Sequence, residues 1–115
     1  ADTVALSQVV YNLIDNAIKY TRRDGSVIVR LEESEGFAVL SVMDTGVGIA
    51  GEDLPYVFDR FYRVDKARTR EQGGAGLGLS ICKDIVESFD GRIEATSMAG
   101  RGSTFIVRLP VAVFE

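Results

Sequence analysis

The sequence predicts an α/β (α+β) two-layer sandwich, in which helices cover one face of a mixed, mostly antiparallel sheet. Three observations lead to this fold class. Two segments have the apolar spacing of amphipathic helices, two pairs of β-rich segments each flank a short polar turn, and glycine-rich loops separate these units. Of the 115 residues, 46% are hydrophobic, which is enough apolar material for one domain spanning residues 1–115.

Two helices are predicted from apolar residues that recur at steps of three and four. The first helix spans Thr3 to Thr21 and stops before Asp24. Its apolar stripe consists of Leu6, Val9, Val10, Leu13, Ile14, Ala17 and Ile18. The second helix spans Gly78 to Phe89 and is ended by Gly91. A short helical stretch is also expected from Glu52 to about Phe61.

Four β-rich segments predict two antiparallel hairpins. The first hairpin joins Ser26–Glu33 to Phe37–Asp44, and the second joins Arg92–Ser97 to Ser103–Leu109. Because side chains alternate along a strand, one face of the first strand should carry Val27, Val29 and Leu31. Between the two hairpins, residues 63–76 carry many charges and few large apolar side chains, which predicts a solvated loop.

Composition and charge exclude several classes of function. The net charge of −4 gives no global attraction to nucleic acid or to an anionic membrane, so any anion site must be local. The absence of histidine excludes a Ser-His-Asp relay and a histidine-ligated zinc in this chain. The longest uncharged run, Thr3–Ile14, is too short to span a bilayer. The lone Cys82 fits a reducing, cytoplasmic setting and a small buried side chain.

Asn12 and Asn16 lie four residues apart, so their amides project from the same side of the first helix. Two interpretations remain open from this spacing alone. The amides are either satisfied polar groups at the edge of the core, or oxygen ligands for Mg²⁺, a hard cation that shares its ligands with waters and substrate phosphates.

Asp44 ends a predicted strand and is followed at alternate positions by Gly46 and Gly48. A carboxylate there can accept a hydrogen bond from an amino group, while glycines allow a ligand to approach the backbone or allow positive φ. An ordinary strand-to-loop turn has the same pattern, so this segment alone leaves both interpretations open.

A second glycine-rich segment, Gly74–Gly78, directly precedes the second helix. Backbone N–H groups at a helix N-terminus can hold a phosphate, although the segment lacks the Lys-Ser/Thr ending of a P-loop. Lys19 and Arg63 are surface cations by default, but either can neutralise phosphate charge if the loop faces it. Phe58 and Phe61 are predicted to anchor the base of the charged loop in the core.

Five segments with these features follow one another along the chain. They are Asn12 with Leu13–Thr21, Asp44–Ile49, Phe58–Arg63, Gly74–Leu79 and Gly100–Phe105. In this order they resemble the N, G1, F and G2 boxes and the closing GxGSxF motif of the catalytic, ATP-binding domain of sensor histidine kinases. That domain belongs to the superfamily shared with gyrase, Hsp90 and MutL, and the resemblance covers essentially the whole chain. It implies the Bergerat-type ATP-binding fold.

The resemblance also implies a role for individual residues. Asn16 would be the main protein ligand of Mg²⁺, and Asn12 would serve the metal and the reacting phosphate. Asp44 would accept from the adenine amino group with support from Thr104, and residues 63–76 would form the ATP lid. Tyr20 and Ile49 would line the adenine slot, Gly48 would allow the base to approach, and Gly46 would be a further cofactor-binding residue. The phosphates would meet Lys19, Arg63 and the hinge residues Gly74, Gly76, Leu77 and Gly78.

The resemblance further implies a partner, because the phosphate acceptor in this family is a histidine on a separate dimerisation domain and this chain has no histidine. The chain is therefore expected to be an N-terminally trimmed, monomeric, cytoplasmic piece of a membrane sensor kinase. It would act with its own dimerisation and histidine phosphotransfer domain and, through the full-length kinase, with a response regulator. No nucleic acid or direct membrane contact is expected.

Two alternatives remain: a non-catalytic nucleotide-sensing module, and a serine kinase related to anti-sigma factors, against which the Phe58–Arg63 segment argues. Gyrase-like and Hsp90-like ATPases generally have more chain between the glycine boxes.

Overall fold

The computed structural model describes residues 3–21, 24–59, 78–98 and 100–114. Over these ranges the chain forms two α-helices, four strands and two short 3-10 helices. The helices and strands are α1 (Thr3–Tyr20), β1 (Val27–Ser34), β2 (Phe37–Asp44), α2 (Gly78–Ser88), β3 (Arg92–Met98) and β4 (Gly102–Pro110). The 3-10 helices are Leu54–Tyr56 and Val111–Phe114. None of the helices in these ranges is both long and apolar enough to cross a bilayer.

The described strands form one open sheet in the order β1-β2-β4-β3, and all of their pairings are antiparallel. Both predicted hairpins are present as β1-β2 and β3-β4. The two hairpins meet where β2 pairs with β4, which places Asp44 opposite Ser103 and Phe37 opposite Pro110. The last residue of β2 therefore lies beside the start of β4, and these two strands are the central pair of the sheet.

Both helices pack on one face of the sheet, with α1 over β2 and α2 over β3. The buried residues of α1 recur every four positions, at Val9, Leu13 and Ala17. They meet a core made of Val42, Cys82, Val86, Ile93, Phe105, Val107 and Leu109. The apolar stripe of α1 is narrower than the sequence predicts, since Ile18 is 61% exposed. A residue one position after a buried one is rotated by about 100° around the helix axis, so Ile18 turns away from the sheet.

The predicted face of β1 is confirmed, because Val29 and Leu31 pair with Val42 and Leu40 and so point to the helix-bearing side. Leu31 is nevertheless 71% exposed. The reason is that β1 is one of the two edge strands among the described strands, and α1 lies mainly over its neighbour β2.

The short helical stretch expected from Glu52 to about Phe61 is shorter than predicted over the part that the structure describes, which ends at Asp59. It consists of one 3-10 helix, Leu54–Tyr56. The backbone N–H groups of Tyr56 and Asp59 each donate to a carbonyl three residues earlier, at 2.9 Å. Pro55 lies in the first turn of this stretch, where a proline is tolerated because the N–H group there has no partner within the helix.

Candidate functional site

Asn12 and Asn16 lie one turn apart on α1, and both are half-buried at the edge of the core. The Asn12 amide donates a hydrogen bond to the thiol of Cys82 on α2, and the thiol sulfur lies 3.8 Å from the Val9 carbonyl oxygen. Burial raises the pKa of Cys82 to about 11, against a smaller opposing effect of the Asn12 hydrogen bond. The thiol is therefore protonated at neutral pH, and Cys82 packs between the two helices as the sequence predicts.

The last turn of α1 adds a cation and a backbone anchor to this region. Lys19 follows Asn16 by three residues, so the two lie on the same side of the helix. The Lys19 ammonium forms an ion pair with Asp15, with 3.0 Å between Nζ and Oδ2. At the helix end, the Tyr20 carbonyl oxygen accepts a hydrogen bond from the Val47 N–H at 3.3 Å. Residues 44–49, called the G1 loop below, thus begin directly against α1.

Asp44, the first residue of the G1 loop, is only 5% exposed, and it is the one buried charged residue in the described part of the chain. Its Oδ1 accepts a hydrogen bond from the Gly46 N–H at 2.8 Å, and the Ser103 N–H also donates to the carboxylate. Burial raises the pKa of Asp44, while these two backbone hydrogen bonds act in the opposite direction. The structure therefore holds a carboxylate in fixed orientation, with acceptor capacity that two N–H donors do not exhaust.

The first half of the G1 loop is held on two sides. Thr45 and Ser26 are joined by hydrogen bonds from the Thr45 N–H to the Ser26 carbonyl at 3.1 Å and from the Ser26 N–H to Thr45 Oγ1 at 2.8 Å. Gly46 packs so tightly on the end of α1 that a Cβ atom there would overlap the Tyr20 carbonyl oxygen. Glycine is thus required at this position because the backbone packs closely on α1, and not because of its φ angle.

The second half of the G1 loop is held by β3 and by the turn that follows it. The Gly100 N–H donates to the Val47 carbonyl at 2.7 Å, and the Ile49 N–H donates to the Ser97 hydroxyl at 2.6 Å. Between these two ties, Gly48 has a φ of +71°, a backbone conformation that side chains with a Cβ rarely adopt. The loop is therefore a fixed surface, with α1 on one side and the second hairpin on the other.

The structure does not bring Thr104 to the Asp44 side chain. In the β2-β4 register Thr104 pairs with the exposed Met43, on the sheet face that carries no helix. Ser103 is the residue opposite Asp44, and it is buried. The sequence-based prediction therefore missed Ser103. The alternation along β4 could have identified it, because Ser103 shares its face with the core residue Phe105.

The predicted site residues fall into three groups. Asn12, Asn16, Lys19 and Tyr20 lie on α1, whereas Asp44, Gly46, Gly48 and Ile49 belong to the G1 loop, which meets the end of that helix at Gly46 and Val47. Gly78 is the first residue of α2 and is exposed. The predictions for Arg63, Gly74, Gly76, Leu77 and the segment 63–76 lie outside the described residues.

Comparison with known proteins places this arrangement in a family. Residues 1–113 match the family described as histidine kinase-, DNA gyrase B-, and HSP90-like ATPases. The sensor protein SrrB of Staphylococcus aureus is 50% identical over 109 residues, which are 95% of this chain and 19% of that relative. The chain thus spans about a fifth of the length of the curated relatives it matches.

Solved structures agree with the sequence comparison. The mycobacterial sensor histidine kinase MprB matches with a TM-score of 0.84 and 33% identity, over 96% of this chain and 74% of the other. The nucleotide-free catalytic domain of the histidine kinase ThkA matches with a TM-score of 0.81 and 31% identity, over 96% and 68%. Full-length ShkA in complex with AMPPNP matches with a TM-score of 0.80 and 31% identity, over 96% and 22%.

The chain therefore belongs to the histidine kinase-, DNA gyrase B-, and HSP90-like ATPase family. Within that family, its fold and its relatives are those of the catalytic, ATP-binding domain of sensor histidine kinases.

Proposed function

We propose that this domain binds ATP with Mg²⁺ and donates the γ-phosphate to a histidine on a separate dimerisation domain of a two-component sensor kinase. The larger protein is a membrane-anchored sensor, the domain works in the cytoplasm, and a response regulator receives the signal. The observation that carries the nucleotide part is the buried Asp44 carboxylate, oriented by the Gly46 and Ser103 N–H groups beside the G1 loop. A further supporting fact is that the similar ShkA was solved with AMPPNP.

The buried carboxylate suits an adenine base because the exocyclic amino group of adenine is a donor and a carboxylate is an acceptor. Guanine presents a carbonyl oxygen at the same ring position, which a carboxylate repels. Asp44 therefore selects adenine over guanine in this proposal. Ile49 and Tyr20, both half-buried at either side of the loop, supply apolar contact for the base.

The amides of Asn12 and Asn16 fit a magnesium site, since amide oxygens are among the hard ligands that Mg²⁺ accepts alongside water and phosphate oxygens. The hydrogen bond from the Asn12 NH₂ group to Cys82 turns the Asn12 oxygen away from the sulfur. Lys19 adds a positive charge on the same side of α1. When bound, Mg²⁺ neutralises charge on the phosphates, and the chain contributes mainly positioning and electrostatic stabilisation.

The acceptor must lie outside this chain, which contains no histidine. In the proposed reaction an imidazole nitrogen of the acceptor forms a bond to the γ-phosphorus. The bond from that phosphorus to the β,γ-bridging oxygen breaks, ADP leaves with the electron pair, and the imidazole loses its proton to solvent.

Transfer is tested by mixing the purified chain with γ-labelled ATP, Mg²⁺ and a separately produced histidine-bearing dimerisation domain of a sensor kinase. We expect label on the added domain that is lost in acid and stable in base, as phosphohistidine is, and no label when the acceptor histidine is replaced by alanine. Acid-stable label would favour a serine kinase. Absence of label with ATP binding intact would contradict transfer and favour a nucleotide-sensing module.

The metal assignment predicts that Asn16→Ala loses the magnesium effect on nucleotide affinity. We expect the gain in ADP affinity on adding Mg²⁺ to fall on the order of tenfold or more, because the amide oxygen is the proposed ligand. The measurement is calorimetric titration with and without Mg²⁺. Gln8→Ala, which removes an exposed amide from the same helix, is the matched control. A full magnesium effect in a folded Asn16→Ala variant would show that Asn16 does not bind the metal.

A further inference from the structure

The Ser97 hydroxyl on β3 makes three hydrogen bonds, although Ser97 belongs to none of the segments that resemble the family motifs. It lies 2.6 Å from the donating N–H nitrogen of Ile49, 2.9 Å from the Gly102 carbonyl oxygen and 3.0 Å from the Ser103 hydroxyl oxygen. A hydroxyl has one donor and two acceptor positions. Ser97 therefore donates to Gly102 and accepts from Ile49 and Ser103, and its hydrogen-bonding capacity is filled.

These three partners belong to the two halves of the proposed base site. Ile49 ends the G1 loop, whereas Gly102 and Ser103 begin β4. Ser103 donates its backbone N–H to the Asp44 carboxylate. At Gly102 a Cβ atom would overlap the Asp44 carbonyl oxygen, so the start of β4 lies directly against the backbone of Asp44. The Ser97 hydroxyl thus connects both ends of the loop to one point on β3.

The turn between β3 and β4 also contacts the G1 loop, through the hydrogen bond from the Gly100 N–H to the Val47 carbonyl at 2.7 Å. That bond holds the middle of the loop and does not reach Asp44 or Ile49. The Ser97 hydroxyl is the contact that joins the Ile49 end of the loop to Ser103, whose backbone N–H donates to the Asp44 carboxylate. Removal of the Ser97 hydroxyl leaves the partly buried Ile49 N–H without its hydrogen-bond acceptor. The loop must then shift to bring this N–H to another acceptor.

We propose that Ser97 is a positioning residue for base recognition, whose hydroxyl fixes the distance between the Asp44 carboxylate and the Ile49 end of the G1 loop and thereby sets the preference for adenine over guanine. This inference rests on the proposed function. It predicts that loss of the hydroxyl affects recognition of the base and leaves the magnesium effect unchanged, because Asn12 and Asn16 lie on α1 and have no part in this network.

The test compares ADP and GDP affinities of Ser97→Ala and the unmodified chain, with and without Mg²⁺. We expect ADP binding to weaken roughly five- to thirtyfold, as for a lost buried hydrogen bond. The ratio of ADP to GDP affinity should fall by a similar factor, and the magnesium effect on ADP should stay the same. The affinity ratio does not depend on the folded fraction of the sample, so a partly unfolded variant remains informative.

Two further variants separate positioning from general damage to the strand. Ser97→Thr keeps the hydroxyl and should restore most of the ADP preference. Thr96→Ala removes a hydroxyl from the opposite face of β3, where Thr96 is exposed, and should leave the preference unchanged. An unchanged ADP to GDP ratio in Ser97→Ala, beside normal ADP binding by the unmodified chain, would overturn this inference alone. Failure of the unmodified chain to bind ADP would overturn the proposed function and the inference with it.

Discussion

Asp44→Asn is expected to weaken ADP binding by about 1.5–3 kcal/mol, the usual worth of a hydrogen bond to a charged group. An asparagine amide keeps one acceptor oxygen, but it loses the negative charge and can present an NH₂ group to the adenine amino group. The measurement is calorimetric titration of both proteins with ADP. Asp84→Asn, an exposed carboxylate on α2, is the control and should bind ADP as the unmodified chain does. Unchanged affinity in a folded Asp44→Asn protein would refute the role of Asp44 in binding adenine.

The same substitution should also change how the stability of the domain depends on pH. Burial raises the pKa of Asp44 above its ordinary value of 3.8, so the native state holds this proton to a higher pH than the unfolded state does. The contribution of this group to the free energy of unfolding therefore falls as the pH rises from 3.8 through the raised pKa. Asp44→Asn lacks this titration, so its stability relative to the unmodified chain should increase with pH. Denaturant unfolding at several pH values measures the difference.

Gly102→Ala is expected to lower the free energy of unfolding by about 3 kcal/mol or more, because two costs add at this position. The φ of Gly102 is +126°, where a residue with a Cβ is strained. In addition, its Cβ would overlap the Asp44 carbonyl oxygen, which is backbone and cannot rotate away. To relieve that overlap, the start of β4 must move away from the end of β2, where the G1 loop begins. Nucleotide affinity should therefore fall as well.

Gly36→Ala is the matched control for Gly102→Ala. Gly36 also has a positive φ, of +84°, but nothing lies within 4 Å of a Cβ placed there. Only the conformational cost of roughly 1–2 kcal/mol applies at this turn. Urea unfolding of the two variants beside the unmodified chain measures the difference. Equal losses of stability would contradict the close packing of Gly102 on Asp44.

The helices and hairpins were predictable because each is encoded by neighbouring residues. The first helix was predicted from Thr3 to Thr21 and is observed from Thr3 to Tyr20, with the Thr21 N–H still donating to the Ala17 carbonyl at 3.0 Å. Its apolar spacing is local, as are the β-rich segments on either side of Glu35 and Gly36.

The choice between Thr104 and Ser103 depended on strand pairing, which connects β2 and β4 across more than fifty residues of sequence. Ser103 and Thr104 both belong to the short motif, so the resemblance does not distinguish them. They differ in the face of the sheet to which their side chains point. The Ser97 hydroxyl is a similar case, since its partner Ile49 lies 48 residues away. Contacts of this kind arise from the packing of the two hairpins, and the sequence of either hairpin alone does not predict them.

The central claim, that Asp44 and the G1 loop form an adenine-nucleotide site completed by Mg²⁺, is tested most directly by calorimetric titration of the purified chain. ADP and a non-hydrolysable ATP analogue are each added with and without Mg²⁺. We expect saturable one-to-one binding that Mg²⁺ strengthens. Absence of binding at millimolar nucleotide by the folded chain would contradict the claim.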